Sequence, residues 1–396
     1  MHRKTMAEGR FTERPSLVDA WAWLDACPNV TGSELVPLDQ AFGRVLSVPV
    51  TFPADRPGRD IALADGYAVQ ADSTLGASSY NPLPLAIVPK GDPVAAGCAS
   101  ICCAGETLPP GADAVLPLEV AEVVSTILEV CDAVARGGGV GRKGEAARRD
   151  DVAIAAGRRL GAPQIALAAS LGLTHLPVRL CPVVALVVAG PKPPAFEATG
   201  LALVALARRD GGMARLVHCE GDIARTLSCI AAADLVLLVG HSGWGEDDDA
   251  VQAITTAGGR VDHHGIALIP GGSAALSWLG GVPLLLLPGD PLSALVTYEV
   301  LAGRLLRRLA GRASDWPRAV RPFTLSRKIV SPIGVSEWVP VVCRGPCAEP
   351  LGVPPADGLA CYARADGFLV VPAGFEGFAP GTRVDVIMSD NVGREE

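Results

Sequence analysis

The chain of 396 residues lacks an excess of basic charge: Lys and Arg number 34 against 42 Asp and Glu, a net charge of −8. Broad nucleic-acid binding needs a basic surface that displaces counterions from phosphates, so that class of partner is excluded, although a local anion pocket is not. The sequence also lacks an uninterrupted apolar segment of about 18 residues, the length a membrane-spanning helix requires. Residues 1–14 are polar, without the apolar core of a signal peptide. No membrane partner is expected. Paired zinc-ligand spacing is missing too. The 11 cysteines are scattered; Cys102 and Cys103 are adjacent, and Cys343 and Cys347 have no nearby partners. Reduced thiols and a cytoplasmic location are the expectation.

What is there is a globular composition, with 49% hydrophobic and 19% charged residues. Such a chain can bury a large core and divides into roughly two to four domains. The most informative stretch is residues 234–249. An apolar run at 235–239 predicts a strand buried on both faces. Gly240, Gly243 and Gly245 follow as a loop whose backbone admits close approach of a ligand. The acids at 246–249 then open a predicted helix, 247–257, stopped by Gly258 and Gly259. Strand, glycine loop and helix start form the usual anion site of an open α/β sheet. Two readings of the acids stay open: they favour a helix N-terminus, or they hold Mg²⁺ shared with substrate phosphates.

Taken in order, the chain predicts a helix from Ser16 to Pro28, with Asp19 in its first turn. A short helix is expected at 38–46 and an extended piece at 48–52. From there to about Gly141, apolar runs at 85–88, 114–118 and 126–130 alternate with Gly and Pro, which predicts a β-rich module. Residues 136–143 are Gly-rich and basic, either a phosphate-contacting loop or a solvated hairpin tip. Residues 164–171 have a helical pattern. Strands at 183–188, 235–239 and 284–287 alternate with helices at 199–209, 222–233 and 291–309, implying a three-layer α/β domain with a mostly parallel sheet. Asp290 suits the cap of the last helix and Pro291 its first position. The ligand edge of such a sheet gathers residues 189–192, 240–248 and 288–293. Strands at 323–326, 337–342, 368–371 and 383–388 predict a C-terminal β domain.

These pieces fall in a familiar order. Asp60-Ile-Ala-Leu-Ala-Asp-Gly-Tyr-Ala is similar to Asp-Asn-Ser-Ala-Met-Asp-Gly-Tyr-Ala of the molybdopterin molybdenumtransferase family, which includes bacterial MoeA and the gephyrin E domain. Leu108-Pro-Pro-Gly-Ala-Asp-Ala-Val matches its Leu-Pro-x-Gly-Ala-Asp-Ala-Val. The loop from Gly240 to Asp248 stands where the family has Gly-Gly-Val-Ser-x-Gly-x-x-Asp, and Leu287-Pro-Gly-Asp-Pro-Leu-Ser matches Leu-Pro-Gly-Asn-Pro-Val-Ser. The resemblance runs from about Ser16 to Met388. It implies an α/β and β multidomain fold: a molybdopterin-binding-like α/β domain (13–32 and 181–313), an elongated linker domain (33–51 and 147–180), a β-rich inserted module (52–146) and a C-terminal β domain (314–396). It further implies a homodimer, with each active site between the α/β domain of one subunit and the β-rich module of the other.

The implied reaction hydrolyses adenylylated molybdopterin and places molybdenum from molybdate on its dithiolene, assisted by Mg²⁺. A molybdopterin species is therefore an expected partner, with a molybdoenzyme or the upstream adenylyltransferase beside it. Carried over by position, Asp60, Asp65 and Asp248 are the expected catalytic acids, with Asp60 and Asp248 on the metal. Asp222 is a looser match. Gly240, His241, Ser242, Gly243, Gly245, Pro270, Gly271, Pro288, Gly289, Asp290, Pro291 and Ser293 are the expected cofactor-binding positions. The chain also departs from the pattern. The family's Thr-Gly-Asp-Glu becomes Ala189-Gly-Pro-Lys192, its Pro-Gly-Lys-Pro becomes Pro270-Gly-Gly-Ser273, and Ala146 and Ala104 replace an Asp and a Thr. His241 replaces Gly and Trp244 a small apolar residue. Trp244 has two readings, a ring that stacks on pterin or adenine or one that packs on its own domain; His241 donates to a phosphate or is a solvated loop histidine. Lys192 is a candidate for the lost lysine's anion-binding role. The departures raise a second function beside the transferase: a homologue of little activity that carries a molybdopterin species to a molybdoenzyme.

Overall fold

The computed structural model describes residues 14–29, 32–190, 194–245, 248–352 and 358–389. They form two compact units, one of residues 37–42 and 48–176 and one of the remainder.

Helix α1 (Leu17–Ala26) begins as its sequence dictates. The Asp19 N–H donates to Ser16 Oγ at 3.2 Å, and the Ser16 N–H donates back to the Asp19 carboxylate at 3.1 Å, a reciprocal cap that satisfies two otherwise unpaired donors.

The smaller unit is built on six strands: β1 (Gly66–Val69), β2 (Leu83–Val88), β3 (Cys98–Cys102), β4 (Ala114–Pro117), β5 (Ala121–Val124) and β6 (Ile127–Val130). Their order is β4-β1-β3-β2-β6-β5, with only β2 and β3 parallel. Tyr67, Leu85, Leu116 and Leu128 fill its core. Helix α2 (Ala162–Ser170) follows.

In the larger unit β7 (Val183–Ala189), α3 (Pro194–Asp210), β8 (Met213–Cys219), α4 (Ile223–Ser228), β9 (Leu235–Val239), α5 (Ala250–Thr256), β10 (Arg260–His264), β11 (Ala275–Leu279) and β12 (Val282–Leu287) lead to α6 (Pro291–Thr297) and α7 (Gly303–Leu309). The sheet order is β8-β7-β9-β12-β11-β10, parallel through the first four strands and antiparallel in the last two. Leu235–Val239 is buried at every position, as expected for a strand covered on both faces. One face packs on α1, α3, α6 and α7 through residues such as Leu186, Leu237 and Leu305; the other packs on α4 and α5 through Val187, Leu238 and Ile254. This is the three-layer arrangement predicted.

The rest of the larger unit holds β13 (Val320–Leu325), β14 (Ser336–Arg344), β15 (Cys347–Pro350), α8 (Gly358–Arg364), β16 (Gly367–Val371) and β17 (Arg383–Met388). They run β14-β15-β13-β17-β16, and β16 pairs back with β14, which closes a five-stranded barrel.

Several elements differ from expectation. The helix expected at 38–46 is only a 3₁₀ turn, Leu38–Gln40, because Gly43 is left-handed (φ 77°) and Leu46 pairs with Val178 as a β-bridge. Helix α4 stops at Ser228, five residues short. The hydroxyls of Thr226 and Ser228 bond back to the carbonyls of Asp222 and Ala224, which weakens a helix. Helix α5 starts at Ala250, not 247, because the two described acids before it fold back on the glycine loop. The helix expected at 291–309 carries a π-helical segment, Tyr298–Ala302. Helix α8 was not anticipated. All eleven cysteines are free.

Candidate functional site

Strands β7, β9 and β12 are adjacent and parallel, so their C-terminal ends share one edge of the sheet. The loops that start at Gly190, Gly240 and Pro288 therefore emerge side by side, as the alternation of strands and helices predicts. Pro191, Lys192, Glu246 and Asp247 lie outside the described residues, and so does the anion-binding reading of Lys192.

Gly240 is left-handed (φ 100°) and its N–H donates to the Leu287 carbonyl at 3.1 Å, which ties the first loop to the end of β12. His241 is also left-handed, at φ 52°. Glycine meets no steric cost there, and His is among the residues that tolerate it, so backbone shape accounts for the exchange of one for the other at this position. Its Nδ1 is 3.4 Å from the Asp249 carboxylate. Ser242 is buried, and its hydroxyl lies 2.8 Å from that of Ser273. The turn from Pro270 to Ser273, entered by a cis Ile269–Pro270 bond, is thereby joined to the glycine loop.

Asp248 closes the loop. One carboxylate oxygen accepts the Gly245 N–H at 2.8 Å, and a Cβ at Gly243 would come within 2.5 Å of the same oxygen. A side chain at 243 would push the Asp248 carboxylate from this position. Gly243, Trp244, Asp248, Val251, Gln252 and His264 line a cleft of about 400 Å³. Trp244 stacks on His264, with centroids 5.0 Å apart and planes at 29°, and the Arg14 guanidinium sits over its ring at 6.0 Å. His264 Nε2 is 2.9 Å from the Ser242 carbonyl. A carbonyl only accepts, so that nitrogen carries the hydrogen. Of the two readings of Trp244, packing on its own domain is present here, and the ring also walls the cleft.

At the third loop the Asp290 carboxylate accepts the Ser293 N–H at 2.9 Å, and Pro291 takes the first position of α6, as predicted. Asp222 does the same for α4, accepting from the Arg225 N–H at 3.0 Å. Among the expected acids, Asp60 and Asp65 belong to the smaller unit. Each holds a turn: Asp60 Oδ1 accepts from the Lys143 N–H and Asp65 Oδ1 from the Ala104 N–H, both at 2.8 Å. The basic loop at 136–143 is thus anchored at its end by Asp60. Sequence reasoning missed Arg14 and His264. Each is far in sequence from the loop it meets, and neither sits in a motif.

A second cavity, about 450 Å³, is lined by Val183, Ala185, Val217, Ile230 and Ala233. Val183 and Ala233 mark the N-terminal end of the parallel strands, the edge opposite these loops.

Residues 16–172 match the MoeA N-terminal region (domains I and II) and residues 322–388 the MoeA C-terminal region (domain IV). The chain is 28% identical to molybdopterin molybdenumtransferase 2 of Mycobacterium tuberculosis, over 91% of this chain and 95% of that protein. It is 23% identical to the molybdopterin molybdenumtransferase of Staphylococcus epidermidis, over 91% and 92%. The crystal structure of the molybdopterin biosynthesis protein MoeA of Pyrococcus horikoshii superimposes with a TM-score of 0.80 at 27% identity, covering 95% of this chain and 99% of that one. The two matched regions span more than half of the chain and flank the sheet whose loops make the cleft, and from end to end this chain belongs to the MoeA family.

Proposed function

We propose that this protein is a molybdopterin molybdenumtransferase of molybdenum cofactor biosynthesis, acting on adenylylated molybdopterin and molybdate. The observation that carries the proposal is the meeting of the glycine loop with the end of β12 and with the Pro270 turn, through the Gly240–Leu287 and Ser242–Ser273 contacts. Backbone N–H groups and the start of α6 suit phosphate oxygens at this edge. Trp244 and His264 supply an aromatic wall beside them. Asp248 adds the carboxylate.

Mg²⁺ is held through one or two carboxylates, with substrate phosphates and water completing its shell. Asp248 is fitted to that role, since it lines the cleft while one oxygen stays on the Gly245 N–H. When bound, the ion neutralises charge at the phosphates. Asp60 and Asp65 are proposed as further acids of the reaction. The four-region division and the homodimer implied by the resemblance belong to the same reading. The names of relatives matched over nine-tenths of the chain support the transferase over the carrier.

The test is hydrolysis of adenylylated molybdopterin with molybdate and Mg²⁺, beside an Asp248→Asn variant. Turnover that the variant loses supports the transferase. Tight pterin binding without turnover would return the carrier.

A further inference from the structure

Strand β8 ends its sheet and pairs only with β7, in a register that sets Arg215 beside Ala185 and Val217 beside Val187. Alternation along the strands puts these four residues on one face, the face covered by α4. That cover is partial. Val187 and Cys219 are buried with Ile223 and Leu227 of the helix, whereas Val217 remains 37% exposed. Helix α4 stops at Ser228, and the chain returns to β9 through Ala231, Ala232 and Ala233, whose side chains are too small to fill the space left. The result is the cavity of about 450 Å³ floored by Val183, Ala185 and Val217, a size typical of small-molecule sites. Arg215 lines it from the strand and Arg225 from the helix, with His218 beside them. Among the described residues no acid lines this cavity, and neither guanidinium has an acid partner. The neighbouring acids are engaged elsewhere. Asp222 accepts the Arg225 N–H at 3.0 Å, and Asp234 accepts the Val183 N–H at 2.8 Å.

We propose that this cavity is a second ligand site, which takes a small amphipathic organic anion. The apolar body of the ligand rests on Val183, Ala185 and Val217, and its acid group is held by Arg215 and Arg225. Two cations at one cavity with no acid between them raise the local potential, which favours a negative ligand. The planar donor edge of a guanidinium matches a carboxylate, sulfonate or phosphate. The floor makes the further choice. Apolar surface removed from water adds to affinity in proportion to its area, so a ligand with an apolar body gains what a bare inorganic ion does not. The site is separate from the glycine loop. Its floor lies at the N-terminal end of the parallel strands, and the loop leaves their C-terminal end. The proposal therefore stands or falls independently of the transferase reading.

The experiment uses anilinonaphthalene sulfonate, an apolar body bearing one anion, and its uncharged analogue phenylnaphthylamine. Binding of each to the full chain is read by fluorescence. Cys229 lines the cavity and is exposed; Cys103 is also exposed but belongs to the smaller unit. Bound sulfonate should slow maleimide labelling of Cys229 severalfold, measured by mass spectrometry of its peptide, and leave Cys103 unchanged. Arg215→Ala and Arg225→Ala should each weaken the sulfonate about fivefold, as expected for exposed charges, and the double variant should weaken it further. Arg383→Ala, which removes the same charge from an exposed position on the barrel, should leave affinity as it was. The uncharged analogue should bind the arginine variants as it binds the wild type, which also shows that they are folded. Ala232→Trp, at an exposed position of the lining, should block both compounds. The proposal is overturned if the wild type does not bind the sulfonate, if binding leaves Cys229 labelling unchanged, or if affinity is indifferent to the double arginine variant and to Ala232→Trp.

Discussion

The hydroxyls of Ser242 and Ser273 lie 2.8 Å apart, and through them the glycine loop and the Pro270 turn hold one another. Ser242 is buried, so removing its partner leaves a hydroxyl without that bond. Ser273→Ala should cost about 1–3 kcal/mol of stability and loosen both loops together. Thermal unfolding and pterin-nucleotide affinity should therefore fall in the same variant. A change in neither would mean that the contact holds nothing.

The glycines at the loop entrances answer differently to substitution. Gly240→Val forces a β-branched residue to φ 100°, a strain of about 1–3 kcal/mol, so this variant should lose stability as well as binding. Gly289 is not left-handed, and Gly289→Val should keep its fold. Its expected defect is affinity, because a lost backbone bond to a charged phosphate is worth about 1.5–3 kcal/mol, roughly tenfold or more in Kd. Equal melting temperatures in both variants would contradict the backbone argument.

How much of this was legible follows from where the signal lay. The apolar run at 235–239, the punctuating glycines and the Asp290-Pro291 start of α6 are local patterns, and local patterns fixed the parallel sheet and its ligand edge. The turn-holding roles of Asp60, Asp65 and Asp248 were not legible. They depend on which backbone N–H each carboxylate meets, across as many as 83 residues for Asp60 and Lys143. Arg14 was hidden for the same reason, since its place depends on a backbone bond between Pro15 and Ala267. The π segment at Tyr298–Ala302 lies within a helical pattern and leaves no mark on periodicity, although it positions Glu299.

Glu299 is fully buried. Both its oxygens accept from Arg209, at 2.8 and 3.0 Å, and one also accepts from Arg318 at 2.6 Å. Arg318 directly precedes the barrel, so the cluster joins the helical layer to the barrel strands. Removing one partner of such a cluster leaves buried charge uncompensated, and Glu299→Ala should cost about 3–5 kcal/mol. Chemical denaturation measures this; a loss under about 1 kcal/mol, the range of an exposed pair, would show that the cluster contributes little.

Asp262 gives a pH dependence. Burial acts to raise its carboxyl, but hydrogen bonds from Arg260, Trp23 and Trp278 together outweigh it and hold the group below its ordinary range. A depressed folded-state pKa stabilises the protein above the unfolded value of about 3.9, and that contribution is lost as pH falls toward the folded value. Asp262→Asn should therefore be less stable than the wild type at pH 7, and the gap should close on acidification below about pH 4. A gap that stays constant with pH would assign the effect to packing.

The three acids allow charge to be separated from architecture. Asp60, Asp65 and Asp248 each spend one carboxylate oxygen on a backbone N–H, at 2.8 Å in every case. Asparagine retains an oxygen that accepts this bond and loses only the charge. Alanine loses both. If the acids serve the reaction, Asp248→Asn and Asp60→Asn should keep their melting temperatures while turnover of adenylylated molybdopterin falls by about 10²–10³, the scale of losing one preorganised group. Asp248→Ala should in addition lose about 1–3 kcal/mol of stability, because the Gly245 N–H loses its acceptor. The two readouts are independent, so a purely structural role has its own signature: Asp→Asn variants with full turnover, and Asp→Ala variants whose activity falls only as far as their stability does. That pattern at Asp248 would leave Mg²⁺ without its proposed carboxylate. The same pattern at Asp60 would make this residue simply the anchor of the basic loop through Lys143.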